Sequence, residues 1–223
     1  MRAGALYQFG KSDSSPGEAW QGTLGFDYAG FTVDAIYGHK KDAIAAASLS
    51  AAQFATAPLD SLAATISDNT SYTIGASYTT GPVKAFVGYE HIKFENPDQP
   101  LQAGITGLGG YTFSFVNNSA FPHPRVLQAS WGGVRYLLTP NFDITAATYH
   151  YDQNSFGTAH CSDASAATCS GGENVYSLMG DYRLTKRFDV YAGAMYSKVS
   201  DGLANGFLHT STLNTMAGFR FTF

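Results

Sequence analysis

Charge is scarce in this chain. Charged residues make up 13% of it, well below the usual quarter. With a formal net charge of -4, nothing calls for a nucleic-acid partner. Long apolar runs are missing as well. No stretch of 18 apolar residues occurs, which excludes a transmembrane helix. The N-terminus, MRAGALYQFG, lacks a charged n-region followed by an apolar h-region, so it does not read as a signal peptide. Either one has been removed or the chain begins inside a larger protein. Catalytic signatures are missing too: there is no G-x-S-x-G and no H-E-x-x-H. No catalytic residue, no metal ligand and no cofactor is expected.

What is plentiful is of one kind. Aromatic residues reach 14% and glycines number 24, yet the mean hydropathy is only -0.11. Many Tyr, Phe and Gly with little charge and no apolar run fit strands that are apolar on one face and polar on the other. The last six residues, GFRFTF, show the pattern: Phe219, Phe221 and Phe223 point one way, and Gly218, Arg220 and Thr222 the other. Such a strand suits lipid on one side and water on the other.

Ten alternating segments follow along the chain, at 1–9, 18–28, 31–40, 71–80, 82–94, 126–138, 141–152, 174–184, 186–199 and 209–223. Most approach the ~9–11 residues that a tilted strand needs to cross a bilayer. Short turns are expected at 28–31 (YAGF), 79–82 (TTGP), 138–141 (LTPN) and 184–187 (LTKR), and long polar connections near 41–70, 95–125 and 153–173. Short turns on one side and long loops on the other is the arrangement of a transmembrane antiparallel β-barrel. The whole chain, 1–223, reads as one such unit. The Ala-rich stretch 42–55 is expected to form a short helix inside its loop.

The charges sort by face. In the outward phase they fall only near the loop ends, as at Glu18, Lys93 and Lys198. The inward phase carries Arg2, Asp27, Asp34, Lys84, Glu90, Arg135, Asp143, Asp181, Arg183, Asp189 and Arg220. An outward Lys or Arg at mid-bilayer costs about 2–4 kcal/mol, so this sorting carries information. Outward aromatics form two sets. Tyr28, Phe31, Tyr78, Tyr136, Phe142, Tyr182, Phe188 and Phe223 lie beside the short turns; Tyr37, Tyr72, Tyr89, Tyr176 and Tyr196 lie toward the long loops. Two bands imply two membrane interfaces. A soluble sandwich with one wet face is the rival, and its strands average only ~5–6 residues. Gly4, Gly25, Gly38, Gly75, Gly88, Gly133, Gly193 and Gly218 all fall in the inward phase, which suggests a wide aqueous lumen. The competing reading is that they relieve strain in a curved sheet.

Several stretches support a family resemblance: AGALYQFG at 3–10, DYAGFTVDAIYGHKKDA at 27–43, SDNTSYTIGASYTTGPVKAFVGYEHIKF at 67–94, GGVRYLLTPNFDITAATYHYDQ at 132–153, YSLMGDYRLTKRFDVYAGAMY at 176–196 and the closing GFRFTF. The chain resembles the C-terminal part of the trimeric general porins of Gram-negative bacteria, in the β-proteobacterial Burkholderia/Neisseria-like branch. That resemblance implies a 16-stranded barrel in the outer membrane, three per assembly, passing small hydrophilic solutes. It also implies that Phe219, Phe221 and Phe223 act as the signal read by the outer-membrane assembly machinery. About ten strands are supplied here. The portion that would carry the pore-constricting loop is absent, so the family's selectivity residues on early strands are not carried over.

Channel-lining candidates are Arg2, Lys84, Glu90, Arg135, Asp181, Arg183 and Arg220. Each arginine either guides anions or pairs with an aspartate on the next strand and stabilises the wall. Seven basic inward residues (with Lys40 and Arg187 added) nearly balance six acidic ones, so no ion preference follows. His39, His91, His150 and His209 lie near the long-loop ends and His123 and His160 in loops; HYD at 150–152 is the one arrangement an enzyme would use, and polar loop residues are the plainer reading. Cys161 and Cys169, the only cysteines, close a short outer loop and are expected to form a disulfide in an oxidising compartment. A metal site there lacks ligands beyond His160. The expected partners are the lipid bilayer, two further copies of the chain, the assembly machinery and small hydrophilic solutes. The expected function is a passive channel, with a non-conducting structural or ligand-binding barrel as the alternative. If the chain is a piece, the full pore needs further strands, and these 223 residues alone should give little stable conductance.

Overall fold

The computed structural model describes residues 1–10, 17–108, 110–158 and 166–222. Ten strands follow one another in chain order across an antiparallel sheet: β1 (Arg2–Gln8), β2 (Ala19–Tyr28), β3 (Phe31–Ala47), β4 (Ser61–Thr80), β5 (Val83–Glu95), then β8 (Arg125–Thr139), β9 (Phe142–Gln153), β10 (Gly171–Arg183), β11 (Phe188–Asp201) and β12 (Ser211–Phe221). Two more, β6 (Ile105–Leu108) and β7 (Tyr111–Asn117), lie off this path. The expected ten-stranded transmembrane wall is therefore present, with boundaries close to those the alternation marks. The sheet is open: among the described residues β1 pairs only with β2, and β12 only with β11.

All four short turns form where the sequence places them. At the first, Ala29 (φ 47°) and Gly30 (φ 87°) both take positive φ, the requirement of a two-residue hairpin turn that matches strand twist. Each turn is also tied to the strand after next. The Thr79 N–H donates to the Gly30 carbonyl (2.9 Å), Leu137 to Pro82 (2.8 Å), Arg183 to Asn141 (2.7 Å) and Thr222 to Arg187 (2.8 Å). The turn side thus forms one hydrogen-bonded rim.

The other end is built differently from the expectation. Strand pairing continues through the segment expected as a long connection at 41–70: β3 runs to Ala47 and β4 starts at Ser61. Of the stretch 42–55, only Ala51–Phe54 is helical (α1), capped by Ser50 and Gln53 reciprocally. A bulge explains why the alternation is lost there. The register shifts between Lys40 and Ala43, and Asp42 sits at φ 49°, so the face to which odd residues point changes. Alanine-rich sequence then pairs as strand because Ile44 meets Ile66 and Ala46 meets Ala64, and tertiary pairing overrides the local helix preference.

Beyond Asp68, β5 leaves β4 and β7 takes its place, running parallel at Ser61–Thr65. Ile66 and Phe113 are fully buried there with Ala64 and Leu101, and Leu62 and Val116 pack against them. This small core sits above the spanning part of the sheet. A second cluster ties the neighbouring connections together. Arg125 lies over the rings of Phe94 (5.3 Å) and Phe156 (5.6 Å), with Phe121 against both rings. The Gln153 side chain, 1% exposed, donates to the carbonyls of Ala167 and Cys169. At the bulge, Asp68 accepts from the N–H groups of Asp42 and Asp98. Burial, and then the Asp68 charge, pushes the Asp42 carboxyl above the usual range.

Candidate functional site

The two faces of the sheet separate as the alternation requires. Register pairs carry one phase from strand to strand: Arg2 opposite Gly25, Gly25 opposite Asp34, Lys84 opposite Arg135, Asp143 opposite Asp181, Arg183 opposite Asp189, and Asp189 opposite Arg220. Arg2, Lys84, Arg135, Asp181, Arg183 and Arg220 therefore share one face, and each lies within four residues of the turn-side end of its strand. Glu90 is on the same face but six residues further along β5, roughly 20 Å away at ~3.3 Å per residue.

The belt is made of three clusters. Arg2 bonds Asp27 and Asp34 (2.8 Å to the latter). Arg135 and Arg183 both donate to one oxygen of Asp143, at 2.5 and 2.6 Å, and the Asp143 side chain is 3% exposed. Arg220 bonds Asp189 and, at 3.3 Å, Asp181. So the arginines do pair across strands and bind the wall together. They are not sequestered by it, since the Arg2 and Arg220 side chains remain 54% and 64% exposed. Lys84 has no ion-pair partner among the described residues.

Register also corrects the reading of the inward glycines. Gly88 lies beneath the ring of Trp131, its direct partner, and a Cβ there would fall inside van der Waals contact of the indole. Gly133 lies beneath Phe86 and next to the Ala146 carbonyl, and Gly218 beneath Tyr191. These glycines make room for a flat ring on the neighbouring strand rather than opening the interior. Gly38 and Gly75 do keep open space, with no heavy atom nearer than 3.6 and 3.9 Å to an added Cβ. Alternation alone does not show that aromatic rings on the charged face cover glycines of the neighbouring strand. The signal was in the pairing, which sequence does not print.

The opposite face is apolar and carries both aromatic rows. Near the turns Phe31 stacks on Tyr78 at 4.2 Å, Phe142 meets Tyr182 at 6.3 Å, and Phe188 meets Phe219 and Phe221 at 5.9 and 6.5 Å. Toward the loops Trp20 meets Tyr37, and Tyr72 meets Tyr89 and His91. Phe219 and Phe221 are 71% and 52% exposed on this face; Phe223 lies outside the described residues. Histidines are spread rather than gathered: His39 bonds Thr70, His91 stacks on Tyr72 and His150 bonds Asn174. Cys169 is buried and is not a free thiol, while Cys161 and His160 lie outside the described residues.

A charged belt on one face and two aromatic rows on the other agree with the sequence profile that matches residues 1–202, described as Gram-negative porin. The chain belongs to the Gram-negative porin family. No curated protein matches it significantly. Among solved structures it is similar to the anion-selective porin from Comamonas acidovorans, at 18% identity and a TM-score of 0.63, over 99% of this chain and 55% of that one. It is also similar to outer-membrane expressed OmpT of Vibrio cholerae (15% identity, TM-score 0.61, 92% of this chain and 56% of that one) and to the in-vitro folded trimer form of that protein (14%, 0.60, 92% and 55%). At these identities the likeness is one of fold. The porin chain described here spans a little over half the length of those structures.

Proposed function

We propose that this chain forms one side of a passive diffusion channel for small hydrophilic solutes and ions across the bacterial outer membrane. One observation carries the reading: every belt ion pair lies on a single face, while the opposite face between the aromatic rows is free of charge. A sheet of that kind, curved shut, encloses water and faces lipid. Unpaired strand edges cost several kcal/mol per backbone group in hydrocarbon, so β1 and β12 need partners. We take these from further strands of a 16-stranded general porin of the Burkholderia/Neisseria-like branch, assembled as a homotrimer. Phe219, Phe221 and Phe223 serve as the assembly signal, and Cys161 bonds Cys169 in the outer loop. The chain acts as a conduit, without catalysis. The test is conductance in planar bilayers of the complete protein that contains these residues. Large, uniform, weakly selective steps support the channel. Protein that inserts but passes no current points to a structural or ligand-binding barrel instead. Two free thiols by mass spectrometry of non-reduced envelope protein would remove the disulfide.

A further inference from the structure

The three clusters of the belt are not alike. In two of them one arginine sits between two carboxylates: Arg2 between Asp27 and Asp34, and Arg220 between Asp181 and Asp189. Each of these sectors carries a formal charge of -1. The central sector is inverted. Arg135 and Arg183 share the single carboxylate of Asp143, through one oxygen, and Lys84 stands directly opposite Arg135. Three cations against one anion leave +2. Like charges placed directly opposite on neighbouring strands oppose sheet pairing. Among the described residues Lys84 has no ion-pair partner, and the two carboxylates beside Arg183, Asp181 on the same strand and Asp189 directly opposite, are both bonded by Arg220.

Space is present where the compensation is missing. A cavity of about 220 Å³ opens at the turn side, and Lys84, Arg135 and Arg183 line it together with Thr79 and the apolar Pro82, Val83 and Leu137. That is room for several waters at ~30 Å³ each. Arg135 and Arg183 each use one terminal nitrogen on Asp143, which leaves further guanidinium donors for a second acceptor. Lys84 adds a mobile ammonium.

Resting on the channel reading for its position in a lumen, we propose that Lys84, Arg135 and Arg183 form a docking subsite for a multivalent oxyanion of the inorganic phosphate class at the turn-side mouth. The flanking negative sectors confine it to this part of the wall. An anion arriving from the turn side is held there before crossing, so the subsite selects among solutes without setting the pore width.

Lys84 makes no ion pair among the described residues, so Lys84→Gln removes one of three cations without breaking the wall. The complete protein, folded in detergent, is titrated with inorganic phosphate against chloride at matched ionic strength, and its thermal midpoint is followed. Phosphate should stabilise it beyond chloride. The phosphate concentration for half the effect should rise roughly tenfold in K84Q, the scale of one charge-assisted hydrogen bond, and stay put in K84R. Identical responses of wild type and K84Q, or a wild type no more responsive to phosphate than to chloride, would overturn the subsite. Phosphorus NMR line broadening on the wild type and K84R gives a second readout should K84Q fold poorly. Bilayer recordings separate the two readings. A conducting pore indifferent to phosphate removes the subsite alone. A silent barrel that phosphate still stabilises through Lys84 removes the channel and keeps the subsite.

Discussion

Ala76 offers the sharpest test of which face meets lipid. It stands between Val33 on β3 and Val87 on β5, on the apolar face, and Val87 is 60% exposed. Along β4 it lies one residue from the midpoint between Tyr72 and Tyr78, the two aromatic levels. Arginine at that depth costs about 2–4 kcal/mol. At 1.36 kcal/mol per tenfold, Ala76→Arg should lower the folded-to-unfolded ratio roughly thirtyfold to nearly a thousandfold. Its neighbours provide internal controls. Gly75 has no heavy atom nearer than 3.9 Å to an added Cβ and sits opposite Asp34, so Gly75→Arg gains both room and a carboxylate. Ser77 shares that face and should also accept arginine, narrowing the lumen. Folding into lipid vesicles is followed by urea titration and by the heat-modifiable band on gels. The expected order is A76R far below S77R, with G75R near wild type. Equal tolerance at all three positions, or the reverse order, would refute the face assignment and the lumen with it.

Other consequences can be checked in the same assays. Gly88→Ala drives a Cβ into the Trp131 ring and should cost about 1–3 kcal/mol, the range for overpacking, whereas the same change in a Trp131→Ala background should cost little; additive losses would contradict the ring-over-glycine packing. Asp42 holds its proton in the folded state at a pH where the unfolded chain has lost its own, so this site lowers stability as pH rises above about 3.9. Asp42→Asn, which also suits φ 49°, should therefore raise the thermal midpoint at pH 7, with the gain fading toward pH 4; a larger gain at pH 4 would be the wrong sign. Deleting Phe223 should reduce heat-modifiable, membrane-inserted protein far more than deleting one residue, the exposed Gln102, from the loop at 100–110, and unchanged levels would count against an assembly signal.

Period-two alternation was enough to place ten strands and four turns, because a strand with lipid on one side must repeat its side-chain chemistry every second residue. It also placed Arg2, Lys84, Arg135, Asp181, Arg183 and Arg220 on one face, because side chains alternate across a strand. Where the environment stops being lipid against water, that constraint lapses. Above the spanning region the bulge at Asp42 changes the phase, alanines pair as strand, and β7 joins β4 in parallel; none of this has a local signature, since Ala46 finds its partner at Ala64 and Ser61 finds its own at Thr112. Register was equally out of reach. Sequence shows a glycine at 88 and a tryptophan at 131, but only the pairing of β5 with β8 lays the indole over the glycine. The same pairing sets Lys84 against Arg135 and leaves the central sector positive. Composition and alternation determined that the chain is a membrane-spanning sheet with a charged face. Tertiary structure decided how those charges group, because an ion pair depends on a few ångströms across strands and alternation specifies only the side on which each charge stands.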